Sequence, residues 1–365
     1  MPTLSQSIRG CLFGGAAGDA LGYAVEFLSW QQIQQRYGER GIQEYALTGG
    51  LAEVSDDTQM TLFTVLGMTH HAGRALYSLD YKTPPSAASA LHWAYLAWLE
   101  TQIGTFDPDR TWGDWLSLRP ELWKWQAPGN TCLGALRSGN RGTIDRPINS
   151  SKGCGGVMRT APCAFAPAGF AGDDVPDAET AMILGAQAAA ITHGHPMGWI
   201  SAGMLSDMIY RLVYQDVPTI EEAALASLGL ARQLWPGAEG MDRLERLIRD
   251  ALDRAHTDQA EEAAISALDP AWHGSGGWCG DDALAIALFA AARHPDSLTD
   301  ALRTAVNHSG DSDSTGAVTG NLLGAKLGIQ ALPPRWIEPL DVHEALDVAA
   351  EQLAGIARIK EAGHA

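Results

Sequence analysis

At 365 residues the chain is long enough to bury a substantial core, while its formal charge of -18 at pH 7 argues against a partner gripped through a nucleic-acid backbone, where Lys and Arg must neutralise phosphates. The five cysteines, Cys11, Cys132, Cys154, Cys163 and Cys279, are dispersed, odd in number and without a C-x-x-C pair, which argues against a disulfide scaffold or thiolate zinc site and fits a reducing compartment. No secretory apolar segment opens the chain and no stretch reaches membrane-spanning length, so a soluble cytoplasmic protein is expected, built as one domain over 1–365 because nothing reads as a flexible linker.

Residues 9–29 set Gly14, Gly18 and Gly22 at four-residue intervals, a smooth strip that on a helix admits another backbone at close range. It is no dinucleotide fingerprint, because no strand precedes it and the glycine spacing is wrong. Asp19 and Glu26 share a face if the helix runs through both; otherwise they read as a solvated pair. The loop 45–53 leads to Ser55-Asp56-Asp57-Thr58, and the apolar run behind it predicts a helix from Gln59 to about His71. Turn residues including Pro84-Pro85 separate this from a helical pattern over Leu91–Leu99. Trp112, Trp115, Trp123 and Trp125 follow as an aromatic cluster, read as core or loop cover with no ligand assigned.

Two glycine-punctuated stretches come next, Asn130–Asn140 and Asn149–Arg159. The second exposes backbone N–H groups of the kind that hold a phosphate or sugar, and the same residues also suit a plain turn. Periodicity then predicts helices over 178–192, 197–214, 220–234, 241–255, 259–268, 281–293, 298–306, 316–329 and 342–359. Alternating Val/Ile/Thr runs are nearly absent, so the expected fold class is all-α. His193 and His195 fall where Gly194 and Pro196 stop a helix, a position at which histidine caps the last carbonyls. Gly274-Ser275-Gly276-Gly277-Trp278 lies between two predicted helices, a candidate wall for a flat group and equally a packing loop.

The chemistry-bearing stretches are two short acidic loops, Ser55-Asp56-Asp57-Thr58 and Asp311-Ser312-Asp313-Ser314-Thr315-Gly316. Each puts two carboxylates beside hydroxyls, which costs repulsion unless a cation or a set of donors compensates, and hard divalent ions take such oxygens. For Asp56-Asp57 the first turn of a helix is the plainer reading, and the two are compatible. An EF-hand opening at Asp311 would need an acid where Leu322 stands. A phosphatase Asp-x-Asp-x-Thr would follow a buried strand, not the turn Asn307-His308-Ser309-Gly310, so that label stays a minor alternative.

Six segments in order resemble the ADP-ribosylglycohydrolase family, over about residues 7–332. Gly18–Glu26 is similar to its opening helix, Ser55–Met60 to its first metal motif, Gly153–Pro162 to its Gly-Asn-Gly-x-x-Met-Arg-x-Ala-Pro loop, and Gly310–Ala317 to its second metal motif. Thr192-His193 and Gly274–Trp278 also match in order. The resemblance implies a dinuclear cleft holding two Mg2+ or Mn2+, with Ser55, Asp56, Asp57, Asp311, Asp313 and Ser314 as ligands. It implies hydrolysis at C1″ of ADP-ribose carried by a protein or a small-molecule conjugate. Arginine-linked ADP-ribose comes first; serine-linked and O-acetyl-ADP-ribose are alternatives, and a non-catalytic ADP-ribose-binding module is the rival class.

Within that resemblance Glu26 matches an acidic residue on a mobile gating loop. Gly153, Cys154, Gly155, Gly156, Met158 and His193 would hold the distal ribose and diphosphate, with Trp278 as a wall. Ser55 and Ser314 keep an oxygen where Thr is usual, Ser309 stands where Gly is more common, and Cys154 replaces a frequent Asn. An oxocarbenium-like transition state needs an oriented water and help for the leaving group. Asp57 or Asp313 is expected as the base, and Glu26 as the residue that orders substrate or assists departure.

Overall fold

Thr3 and Gln6 start the first helix by reciprocal capping: Gln6 N donates to Thr3 Oγ1 at 3.3 Å and Thr3 N to Gln6 Oε1 at 2.8 Å. From there α1 runs Leu4–Tyr23. The computed structural model describes residues 1–77, 86–109, 113–166, 170, 177–268 and 276–362. After α1 come α2 Trp30–Tyr37, α3 Asp56–Tyr77, α4 Ala87–Ile103, α5 Asn130–Arg137, α6 Asp177–Ala190 and α7 Pro196–Tyr214. Then follow α8 Ile220–Leu234, α9 Met241–Ala255, α10 Glu261–Ser266, α11 Gly280–Arg293, α12 Leu298–Val306, α13 Ser312–Leu327 and α14 His343–Ala362. Among the described residues no β-strand forms; isolated bridges join Thr48 to Leu51, Ala52 to Leu340 and Gly153 to Cys279. The all-α expectation holds. Among the described residues no helix is long and apolar enough to cross a membrane.

The glycine strip read from the sequence is the central seam of the fold. It extends back to Gly10 and meets a second strip, Gly316, Gly320 and Gly324, on α13. A methyl group built on Gly10, Gly14, Gly18 or Gly22 would fall 2.2, 2.4, 2.0 or 2.2 Å from the carbonyl oxygen of Gly324, Gly320, Gly316 or Ser312. Only residues without a Cβ let two helical backbones meet so closely. Asn321 Nδ2 donates to Cys11 O at 2.8 Å and locks the register. Because the strips pair in opposite directions, the seam brings the N-terminus of α13 beside the C-terminus of α1, and with it the second acidic loop beside the stretch that carries Asp19.

Several boundaries differ from expectation for local reasons. α3 begins at Asp56 instead of Gln59, so Asp56 and Asp57 are first-turn acids as well as members of an inward cluster. α13 begins at Ser312, ahead of the expected Gly316, and ends where Gly328 takes φ +76°. The first glycine-punctuated stretch is helical as α5, and the second forms a 3-10 helix over Cys154–Arg159. His195 caps the start of α7, not the end of the preceding helix: its Nδ1 accepts from Met197 N at 3.1 Å, with Pro196 at the first helical position. Trp115 and Trp123 are half-buried loop cover, as expected, while Trp125 is exposed. Trp112, Gly274 and Ser275 lie outside the described residues.

The turn between α12 and α13 buries His308, whose Nε2 meets Thr315 Oγ1 at 3.0 Å, and burial pulls its pKa down to about 4. In the unfolded chain a histidine titrates near the ordinary value of about 6.5. Between those values the unfolded state holds the extra proton, so His308 makes stability fall as pH falls. From pH 7 to pH 5 the wild type is expected to lose about 2 kcal/mol more than His308→Gln, as read by urea unfolding at both pH values. Equal losses would contradict a neutral, buried His308.

Candidate metal and substrate site

Asp19, fully buried near the end of α1, accepts from Ser55 N at 2.9 Å, Thr58 N at 3.0 Å and Thr58 Oγ1 at 2.5 Å. These bonds fasten the start of α3 to α1. Asp56 N donates to Gln126 O at 2.9 Å, and Asp56 Oδ2 accepts from Gly129 N at 3.1 Å, just before α5. Asp57 N reaches Ser55 Oγ at 3.2 Å, while Asp57 Oδ2 is buried with no hydrogen-bond partner. Across the seam Asp311 N donates to Gly276 O at 2.7 Å, and Asp313 Oδ1 accepts from Ser314 N at 2.9 Å. The Cys154 thiol donates to Asp311 Oδ2 at 2.7 Å. Carboxylate oxygens of Glu26, Asp311 and Asp313 lie within 4.8 Å of one another. Asp313 also lies close enough to Asp56 and Asp57 to raise both carboxyls, so the two loops read from opposite ends of the sequence face one another.

Glu26 does not continue α1, which stops at Tyr23; it sits on the following turn, beside Phe27 at φ +65°. It still joins the cluster that Asp19 borders, though by a route other than a shared helix face.

Asp56, Asp57, Asp311 and Asp313 are each no more than 5% exposed. Burial, followed by repulsion from Asp313, holds the Asp57 and Asp311 carboxyls well above the usual range. Burial does the same to Asp56 against the opposing hydrogen bond from Gly129. Asp19 is raised to about 7 and Glu26 to about 10, again by burial first and Asp313 next. Hard divalent cations neutralise such oxygens, and Asp57 Oδ2 and Glu26 Oε2 are buried oxygens with no other partner. The donor set fits a hard-cation site. A second acidic group, Cys279 with Asp281 and Asp282, is different, because Arg243 already ion-pairs with Asp281 and, at 2.7 Å, with Asp282.

Beside the acids the Cys154–Arg159 helix forms a wall. Cys154 N donates to Trp278 O at 3.1 Å and Gly280 N to Lys152 O at 2.9 Å, which ties this wall to the loop before α11. Gly153 and Gly155 lie against the His193 ring: a methyl on either would come within 3.4 or 3.3 Å of Nε2. Gly156 packs on the Gly198 carbonyl, and Met158 is buried, its carbonyl accepting from Thr61 Oγ1 at 3.3 Å. Next to Ser151 a cavity of about 370 Å³ opens, lined by Asn130, Thr131, Asn149 and Ile148 among others. Trp278, 39% exposed, stacks on Phe27, 68% exposed, with ring centroids 5.2 Å apart.

Sequence reasoning overlooked Asp19 as the anchor of the first loop, Gly129 as a donor to Asp56, and Arg159 as the support of the wall. The spacing of Gly316, Gly320 and Gly324 was a readable signal for the seam that recruits Asp19. Arg159 stands at the Arg of the Met-Arg-x-Ala-Pro motif, a signal that marked the residue without its role; for Gly129 no signal short of the fold exists.

An all-helical frame thus sets buried acids from both chain ends beside a glycine-rich wall, a donor set suited to a hard cation. The chain belongs to the ADP-ribosylglycohydrolase family, whose family model matches residues 1–362, and members of that family are enzymes. The ADP-ribosyl-[dinitrogen reductase] glycohydrolase of Rhodospirillum rubrum is 26% identical over 349 residues, covering 93% of this chain and 92% of that protein. The ADP-ribosylarginine hydrolase Tri1 of Pseudomonas putida (strain GB-1) is 33% identical over 72 residues, 20% of this chain and 19% of its own. A solved chain described as an ADP-ribosylglycohydrolase-related protein complex shares the fold, with a TM-score of 0.58 at 23% identity, covering 97% of this chain and 99% of that one.

Proposed function

We propose that this enzyme hydrolyses the C1″–nitrogen bond of ADP-ribosyl-arginine on a protein, acting as one cytoplasmic domain over 1–365. The observation that carries the reading is the buried grouping of Glu26, Asp311 and Asp313, whose carboxylate oxygens lie within 4.8 Å of one another, with the buried Asp56 and Asp57 near enough to feel the charge of Asp313. The arginine linkage is supported by the Pseudomonas putida relative, an ADP-ribosylarginine hydrolase, and the protein-borne substrate by the Rhodospirillum rubrum relative, which acts on ADP-ribosyl-[dinitrogen reductase].

In this reading Ser55, Asp56, Asp57, Asp311, Asp313 and Ser314 hold two Mg2+ or Mn2+. When bound, such cations supply positive charge that orients a sugar diol and acidifies water. Asp57 takes the proton of the attacking water, and Asp313 is the alternative base. Water oxygen bonds to C1″, the C1″–nitrogen bond breaks, and Glu26 orders the substrate and assists the departing nitrogen. The wall of Gly153, Cys154, Gly155, Gly156 and Met158, with His193, takes the distal ribose and diphosphate, and Trp278 flanks the ligand with Phe27. Serine-linked and O-acetyl-ADP-ribose are the next substrates in line.

The test is a panel of arginine-, serine- and O-acetyl-linked ADP-ribosyl substrates assayed with Mn2+, Mg2+ or a chelator. Release of ADP-ribose from the arginine linkage with metal, abolished by chelation, is the expected outcome. Tight ADP-ribose binding without turnover on any linkage would overturn the hydrolase assignment.

A further inference from the structure

Arg159 is a charged side chain with no exposed surface, and the atoms it meets are neutral. Its Nη1 donates to Gly155 O at 2.5 Å, and its Nη2 to Ala188 O at 3.1 Å and to Thr192 Oγ1 at 2.6 Å. The guanidinium lies over the Tyr95 ring, 4.5 Å from its centroid. Burying a guanidinium this way is expensive unless its donors are used; here Nη1 and Nη2 are spent, chiefly on the two elements that flank His193 and on the Cys132 and Met60 sulfurs, while Nε is buried without a partner. Thr192 Oγ1, besides accepting from Arg159, stands 2.9 Å from His193 Nδ1. Thr192 and His193 are themselves buried.

We infer that Arg159 and Thr192 are positioning residues that fix His193 as its Nε2–H tautomer, so that a neutral imidazole donates from Nε2 toward the Gly153–Gly155 wall and the anionic or hydroxyl oxygens of the ligand held there. Thr192 Oγ1 receives a charge-assisted hydrogen bond from Arg159, which leaves its single proton to give, and His193 Nδ1 is the acceptor at hand. The electrostatics point the same way: a neutral ring turns its unprotonated nitrogen toward the nearby cation. Burial, then the Arg159 charge, also pull the His193 pKa down to about 3, so the ring stays neutral through the physiological range. Arg159 thus couples the wall, through Gly155 O, to the orientation of His193. The role given to the Nε2 donor rests on the ADP-ribose reading above; the tautomer does not.

The experiment uses the full chain labelled with 15N-histidine, its His193 signals assigned by their loss in His193→Asn. Long-range 1H–15N correlation spectra of the ligand-free protein are expected to show Nε2 protonated and Nδ1 not. Thr192→Val keeps the shape and removes the hydroxyl. It should shift the tautomer balance and weaken ADP-ribose binding about tenfold, the scale of one hydrogen bond, while kcat changes far less than KM. Thr192→Ser, which returns the hydroxyl, should restore both tautomer and affinity, an outcome that a mere packing role would not produce. A ligand-free wild type with Nδ1 protonated, for instance because Thr192 donates to the Cys132 sulfur instead, overturns the relay. So does a folded Thr192→Val with unchanged tautomer and affinity. If the tautomer is as expected and no ADP-ribose binds, the substrate reading fails and the relay stands.

Discussion

Asp313→Ala is expected to lower kcat/KM for ADP-ribose release by at least about 10³-fold while leaving the metal-free protein as stable as the wild type or more so. Both halves follow from the same position. On the proposed assignment Asp313 is a cation ligand and an alternative base, so its loss removes charge from the centre where the reaction is run. Yet Asp313 is also the repulsive neighbour that most often raises its companions: it pushes up Asp19, Glu26, Asp56, Asp57 and Asp311. Removing one carboxylate from a buried group of like charges relieves that repulsion. The relief is set against the local bond that Asp313 Oδ1 accepts from Ser314 N, which is worth about 1 kcal/mol. Sites that trade stability for activity show this pairing of effects. Thermal unfolding with and without Mn2+ completes the check, since the wild type should gain more from the ion than the variant. Wild-type turnover in Asp313→Ala would sink the assignment, and a variant much less stable without metal would show that Asp313 is chiefly structural.

Gly18→Ala should cost about 3 kcal/mol or more of stability, large for the addition of a single methyl group. Its Cβ would land 2.0 Å from Gly316 O, and the obstructing atom is backbone, so no rotamer change relieves the clash. The helices must part, and the α1–α13 seam is what brings Asp19 and the second acidic loop together. Activity should therefore fall with stability, because the carboxylates lose their spacing. Gly229→Ala on α8, where a methyl meets nothing within 4 Å, is the control. It should be neutral or stabilise by up to about 1 kcal/mol through helix propensity. Urea unfolding of the two variants decides the matter: a Gly18→Ala protein within about 1 kcal/mol of the wild type would mean that the seam is loose.

Much of this arrangement is written in local patterns. The four-residue spacing of Gly14, Gly18 and Gly22 announces a close helix contact, and the absence of alternating runs announces an all-α fold. Before any neighbour is known, the hydroxyl-flanked acids of the two loops announce a repulsion that a cation or a set of donors must offset. Such features act over a turn or two of chain, where period and residue type suffice to specify geometry.

Packing decided the rest. Asp19 is one acid among many in the sequence, and becomes an anchor only because the seam sets it against Ser55 N and Thr58 N. Glu26 reaches the cluster from a turn and not from a helix face, and Arg159 supports His193 only once α5, α6 and the Cys154–Arg159 helix surround it. Which buried oxygen lacks a donor, and which ring nitrogen carries a proton, depend on partners contributed by distant segments, because hydrogen bonds and desolvation are sensitive to ångström-scale positions. The sequence by itself determined the kinds of groups available; the tertiary structure determined which of them meet and in what state of charge.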